Sequence, residues 1–278
     1  MWLRYVRTLT LHNSLGPDES WPTRRQVRKQ ITPSGSRAGI LYGLPKVHKN
    51  NLPIRPIISA VGTYNYRLAK YLDNILKPLV DATYILTDTF DFVNKISHLD
   101  TSSDKNMVSF DVESLFTNIP TQETIDIIIK LAYADGNNTF HGHTSDDLKK
   151  HLTICTQQSH FQFAGEFYDQ VDGVAMGSPL GPLFANIFMA EFEKTHMEKL
   201  REVGIKTWLR YVDDVFVTTN DRAASEAALE YLNEQHPNIK TTSPSRSWTQ
   251  KSHETSANTS HRYTTNRRSQ ASISTGTV

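Results

Sequence analysis

Two adjacent carboxylates, Asp213 and Asp214, sit between the short apolar runs Leu209-Arg210-Tyr211-Val212 and Val215-Phe216-Val217. The β-branched and aromatic residues on either side read as two strands, with the acidic pair where a tight turn would join them. Asp is a common turn residue, so a polar hairpin tip accounts for the pair taken alone. A divalent-metal site accounts for it as well, because hard cations such as Mg²⁺ take carboxylate oxygens and offset their repulsion. A third carboxylate would separate the two readings, and Asp111 supplies one. Val108, Phe110 and Val112 alternate as in a half-buried strand, and Asp111 falls on the opposite face. Glu113 shares that parity but stands where the chain leaves the strand, and ranks lower. Three carboxylates on adjoining strands can hold two divalent ions, which stabilise the attacking and leaving oxygens of an in-line phosphoryl displacement.

Cations complement this acidic group. Tyr42-Gly43-Leu44-Pro45-Lys46-Val47-His48-Lys49 and Pro53-Ile54-Arg55-Pro56-Ile57-Ile58-Ser59 form two extended segments around the turn-like Lys49-Asn50-Asn51. Pro45, Pro53 and Pro56 bias their neighbours away from helix. A hairpin with Lys46 on one arm and Arg55 on the other could aim both cations at one anion, Arg as a bidentate ligand and Lys as a point charge. Against a triphosphate they would add stabilising charge. Taken alone, a solvated basic loop explains the same residues. Further on, Gly173-Val174-Ala175-Met176-Gly177-Ser178-Pro179-Leu180-Gly181-Pro182 feeds a long helix carrying Leu183, Phe184, Ile187, Phe188 and Phe192. The Phe stripe reads as core, whereas the glycines would let backbone approach a ligand closely. The Lys-Ser/Thr ending of a P-loop is absent.

The remaining elements would position these residues. Tyr66 to Leu79 reads as an amphipathic helix, and Phe90 to Val93 opens a short one. Thr121-Gln122-Glu123-Thr124 resembles a helix start. Residues 145–155 predict another helix with Ser145 as cap. Phe161, Phe163, Phe167 and Val171 suggest an aromatic hairpin turning at Ala164-Gly165, and a helix runs from about Asp221 to Gln235. The result is an α+β chain with helices packed on one face of an antiparallel sheet, able to bring Asp111 beside Asp213.

The net charge of +1 over 278 residues conceals an asymmetry. Residues 1–60 hold ten Lys/Arg against two Asp/Glu, and 61–240 hold 15 against 26. A basic front and an acidic middle suit a protein that grips phosphates with one part and metal with another. Cys155 is the only cysteine, so an internal disulfide and a cysteine zinc site are both excluded, which fits a reducing, intracellular setting. No apolar run reaches the ~20 residues that span a bilayer, so no membrane partner is expected. The N-terminus lacks the apolar core of a secretory signal.

Five ordered blocks carry a resemblance: Tyr42 to Lys49 (YGLPKVHK), Ile54 to Ser59 (IRPIIS), Ser109 to Pro120 (SFDVESLFTNIP), Ala175 to Pro182 (AMGSPLGP) with Ala185-Asn186, and Leu209 to Val215 (LRYVDDV). Over roughly residues 40–240 the chain resembles a reverse transcriptase, most closely that of the Penelope-like retroelements. The resemblance implies a right-hand polymerase fold of fingers and palm at 41–240, behind a basic, partly irregular extension at 1–40. It implies an RNA-directed DNA polymerase with RNA template, DNA primer and deoxynucleoside triphosphates as partners and two Mg²⁺ ions, or Mn²⁺ in their place. Asp111, Asp213 and Asp214 would be the metal-binding catalytic triad, with Asp111 and Asp213 the direct ligands, Asp214 supporting, and the Val112 carbonyl a further ligand. Lys46 and Arg55 would grip the triphosphate, and Phe116 would exclude a ribose 2′-hydroxyl. Gly177, Ser178 and Pro179 would lie beneath the incoming nucleotide. Many reverse transcriptases carry Gln just before that glycine, where this chain has Met176. A thumb and a GIY-YIG-type endonuclease are not recognisable. Residues 241–278, with 18 Ser/Thr and six hydrophobic residues, read as a disordered tail with no thumb. The alternative is an inactive, truncated relic that only binds nucleic acid. A phosphoesterase would want a His or Lys cluster beside the acids, which is absent.

Overall fold

The acidic and basic candidates sit on two different four-stranded sheets. The structure, a computed structural model, describes residues 24–33, 37–47, 52–99, 106–170 and 172–243. The first sheet has the order β2-β1-β4-β5, built from β1 (Gly39–Pro45), β2 (Ile54–Ser59), β4 (His160–Phe163) and β5 (Glu166–Asp169). The second has the order β6-β7-β3-β8, from β3 (Asn106–Val112), β6 (Ile205–Tyr211), β7 (Asp214–Thr219) and β8 (Thr241–Thr242). The helices are α1 (Arg24–Ile31), α2 (Tyr66–Leu76), α3 (Thr89–Ser97), α4 (Leu115–Asn118), α5 (Thr121–Ala132), α6 (Ser145–Thr156), α7 (Leu180–Glu202) and α8 (Arg222–Gln235).

The expected α+β architecture of helices and antiparallel sheet is observed, with two refinements. Among the described residues there are two sheets rather than one, and β1 pairs with β4 in parallel while the other strand-to-strand pairings of these sheets are antiparallel. The aromatic hairpin turns at Ala164 and Gly165, both at positive φ, as a two-residue turn that follows strand twist requires. Its place beside β1 depends on a contact more than a hundred residues away, which no local pattern encodes.

Burial along β3 alternates strictly, with Val108, Phe110 and Val112 inward and Met107, Ser109 and Asp111 on the other face. The inward face packs with Trp208, Val215 and Val217 into a core that includes α2, α5, α6 and α7. Helix α7 has 23 residues, about 34 Å of rise, and is buried almost all round from Leu183 to Glu193 before its C-terminal turns emerge on one face, so its first half shows little amphipathic stripe. Three helix starts carry side-chain caps. Asp88 accepts from the Asp91 N–H, Thr144 from Asp147, and Asp221 from Ala224. Thr144 is therefore the cap of α6, one residue before the expected Ser145, which is itself helical.

The extension expected to be partly irregular contains α1, a helix whose Val27 and Ile31 are buried in the core. At the other end, Thr241 and Thr242, assigned by composition to the tail, pair with Val112 and Asp111 as β8, the edge of the second sheet. Thr241 is buried, and the Asn233 side chain bonds both its N–H and its carbonyl. Composition over 38 residues could not reveal two residues that complete a ladder. The expectation of a disordered tail beyond them lies outside the described residues.

Candidate active site

Strand pairing assembles the acidic group. In the β3–β7 register Asp111 faces Asp214, and in the β6–β7 register Tyr211 faces Asp214. Tyr211 and Asp214 thus close a two-residue hairpin with Val212 and Asp213 at its tip. Only one of the two aspartates is in the turn, and Asp214 opens β7. Val212 has φ +58°, an outlier for a β-branched residue at a position where hairpins favour Gly. The Asp213 carbonyl accepts the Val112 N–H at 2.9 Å, tying the tip to the end of β3. Burial, and then the neighbouring Asp213, raise the Asp214 carboxyl above its ordinary range.

The chain then turns sharply. Ser114 adopts φ +48° and starts α4, which carries Phe116. The Phe116 carbonyl accepts from the Val174 N–H at 2.7 Å, and a side chain at Gly181 would touch the Phe116 ring at 3.6 Å. The loop from Gly173 to Gly181 therefore wraps around Phe116. Gly177 has a different reason to be glycine from the ligand approach expected of it. A Cβ there would stand 2.2 Å from the Ile58 carbonyl oxygen, so the close approach is to strand β2.

A cleft of about 620 Å³ gathers these groups. Asp111, Asp213 and Asp214 line it together with Val112 and Phe116, while Lys46 and Arg55 line it from the first sheet. In that sheet Leu44 faces Arg55, and the Lys46 N–H bonds the Pro53 carbonyl at 2.8 Å, which holds the two cationic arms together. Met176 also lines the cleft, whereas Ser178 and Pro179 line a small neighbouring cavity with Ile58 and Tyr64. His48 and Lys49 lie outside the described residues.

The donor set is hard carboxylate oxygen at a point where two negative side chains already disfavour one another, which suits a divalent cation. Among the described residues no three His, Cys, Asp or Glu side chains close tightly enough to enclose an ion by themselves. No described helix is long and apolar enough to cross a membrane.

Sequence reading gave no role to the buried set beneath the hairpin, where Arg210 pairs with Glu193 and both are essentially inaccessible. Two signals were present: a glutamate directly after Phe192, on the face of the helix that carries the Phe stripe's neighbours Met189 and Met197, and an arginine sharing strand parity with Trp208.

An acidic hairpin on an antiparallel sheet and two cations lining the same cleft are the groups that phosphoryl transfer would use. The chain belongs to the reverse transcriptase (RNA-dependent DNA polymerase) family, whose model matches residues 47–243. No curated protein matches the chain. Among solved structures, apo telomerase from Candida tropicalis truncated from its C-terminal domain superposes with TM-score 0.53 at 15% identity, covering 74% of this chain and 50% of that one. Telomerase from Candida albicans in complex with a TWJ fragment of telomeric RNA gives TM-score 0.56 at 13% identity, covering 81% and 44%. The likeness is one of fold, and the chain spans half or less of those proteins.

Proposed function

We propose that the cleft performs nucleotidyl transfer from a deoxynucleoside triphosphate to a primer 3′-hydroxyl, directed by an RNA template. The observation that carries this is one cleft lined both by an aspartate wall, Asp111, Asp213 and Asp214, and by Lys46 and Arg55. Asp111, Asp213 and Asp214 would hold divalent ions, Mg²⁺ foremost, with the Val112 carbonyl beside them. Such ions, when bound, supply charge that stabilises the attacking and leaving oxygens. Lys46 and Arg55 hold the triphosphate against that wall and offset its charge. Phe116, fixed by the Gly173–Gly181 loop, closes the space beside the sugar and disfavours a 2′-hydroxyl. Gly177 joins this loop to β2, and Ser178 and Pro179 continue it under the nucleotide.

The division into fingers (around β1, β2, β4 and β5) and palm (around β3, β6, β7 and β8) is part of the same reading. So is descent from a Penelope-like retroelement, supported by the five ordered blocks, all of which contribute residues to the lining of the cleft. Primer extension on an RNA template with Mg²⁺ and deoxynucleotides tests the activity. Extension that disappears in Asp213→Asn supports it. No extension above that variant would sink catalysis by this chain and leave nucleic-acid binding alone.

A further inference from the structure

Beneath the strained hairpin tip lies a charged pair that the proposed chemistry does not use. The Arg210 side chain is fully inaccessible, and Glu193, on α7, is 1% exposed. Arg210 Nε donates to Glu193 Oε1 at 2.6 Å and Nη2 donates to Oε2 at 3.3 Å, a bidentate fork. Nη1 donates to Asn186 Oδ1 at 3.0 Å and to the Val212 carbonyl at 3.2 Å. Trp208 Nε1 donates to the same Glu193 Oε1 at 2.9 Å. The Arg210 backbone is fixed as well, its N–H bonding the Tyr84 carbonyl at 2.8 Å and its carbonyl receiving Leu86 N–H at 2.7 Å.

We propose that Arg210 is a positioning residue for the active site: clamped by Glu193 and Asn186 on α7, its guanidinium holds the Val212 carbonyl and so the turn that presents Asp213. The proposal rests on the polymerase reading of the cleft for its consequence, although the clamp itself is a matter of geometry.

Two arguments carry it. A buried ion pair gives up hydration that its mutual attraction barely repays, so apolar replacements of similar size are often as stable. What this pair supplies beyond stability is direction, because a planar guanidinium with fixed donors can bridge a helix and a turn in one geometry. The turn also needs holding. A β-branched residue at φ +58° persists only where its surroundings over-determine it. The tip has two restraints on consecutive carbonyls, Arg210 on Val212 from the core and the Val112 N–H on Asp213 from β3. Lysine in place of Arg210 could still neutralise Glu193 but could not span Glu193, Asn186 and Val212 together.

The test uses the full 278-residue chain with Arg210→Lys, and Arg210→Met combined with Glu193→Leu, which removes both buried charges. Hydrogen exchange reads the clamp without reference to activity. We expect the Val112 amide to exchange about tenfold faster in either folded variant, while the Val108 and Phe110 amides, deeper in the same ladder with β7, keep their protection. In primer extension, kcat should fall roughly 10- to 100-fold with the nucleotide KM changed by less than about threefold. Unchanged Val112 exchange in a folded Arg210→Lys chain overturns the proposal, and so does an equal rise along all of β3, which marks a merely structural role. Asp213→Asn serves as the control. If that variant extends primers as well as the unaltered chain, the polymerase reading fails, while the exchange result still decides on the Arg210 clamp.

Discussion

Across the β3–β7 ladder Asp111 stands opposite Asp214, the aspartate that begins the strand, while Asp213 occupies the turn and gives its carbonyl to the Val112 N–H. The acidic pair is thus divided between a strand and a tip. Residues facing each other across a ladder share a face of the sheet, so Tyr211, Asp214, Asp111 and Thr242 form one row across four strands.

The raised Asp214 carboxyl has a definite sign. A carboxyl whose folded pKa lies above its unfolded value costs stability once pH rises past the unfolded value of 3.8, and the cost is complete above the folded pKa. At neutral pH without divalent ions, Asp214→Asn should therefore stabilise the fold slightly, the effect being reduced by solvent screening of this partly exposed group. The same change should reduce the rise in melting temperature that Mg²⁺ gives the unaltered chain. Thermal melts with and without Mg²⁺ measure both.

Lys46 and Arg55 reach the cleft from the opposite sheet, so they should act on triphosphate binding more than on the aspartate wall. Lys46→Ala and Arg55→Ala should each raise the nucleotide KM by roughly tenfold, worth about 1.4 kcal/mol. Lys130→Ala, whose partner is Glu191 on the helical side, should leave it unchanged. Steady-state kinetics of primer extension distinguish these outcomes.

Gly177 is a packing glycine. A methyl group there would meet the Ile58 carbonyl oxygen at 2.2 Å and its carbon at 3.1 Å, both backbone atoms with little freedom to yield. Gly177→Ala should destabilise the chain by about 1–3 kcal/mol, seen in chemical denaturation. Gly165→Ala makes a useful contrast: it meets nothing within 4 Å, so its cost is conformational only, at φ +89°.

Acid sensitivity should come from a site remote from the cleft. His143 and His151 pack edge to face at 5.1 Å, and their buried Nδ1 atoms have no hydrogen-bond partner among the described residues. Burial pushes both pKa values down to about 4, with mutual repulsion adding at His143 and Asp147 opposing at both. A histidine depressed in the folded state is neutral there and charged in the unfolded chain below pH 6.5. Its stabilising effect is present above 6.5 and is lost as pH falls from 6.5 toward 4. The loss is on the order of 3 kcal/mol for each ring, and denaturation midpoints measured between pH 7 and 4.5 should fall accordingly.

The sequence by itself determined the local elements and the identity of the acidic group. Alternation marked β3 and placed Asp111 opposite the apolar face, a property of period two that needs no partner strand. Ala164-Gly165 marked a hairpin, and Tyr42 to Ser59 marked another, because turn chemistry and proline act within a few residues. The tertiary structure decided the rest. It chose Asp214 rather than Asp213 as the register partner of Asp111, made Thr241 and Thr242 an edge strand, and joined β4 to β1 in parallel. It also buried Glu193 against Arg210 under the turn. Each of these depends on pairing between segments far apart in the chain, where hydrogen-bond register and the satisfaction of buried charge are settled jointly by all the packed elements. No window of sequence contains that information.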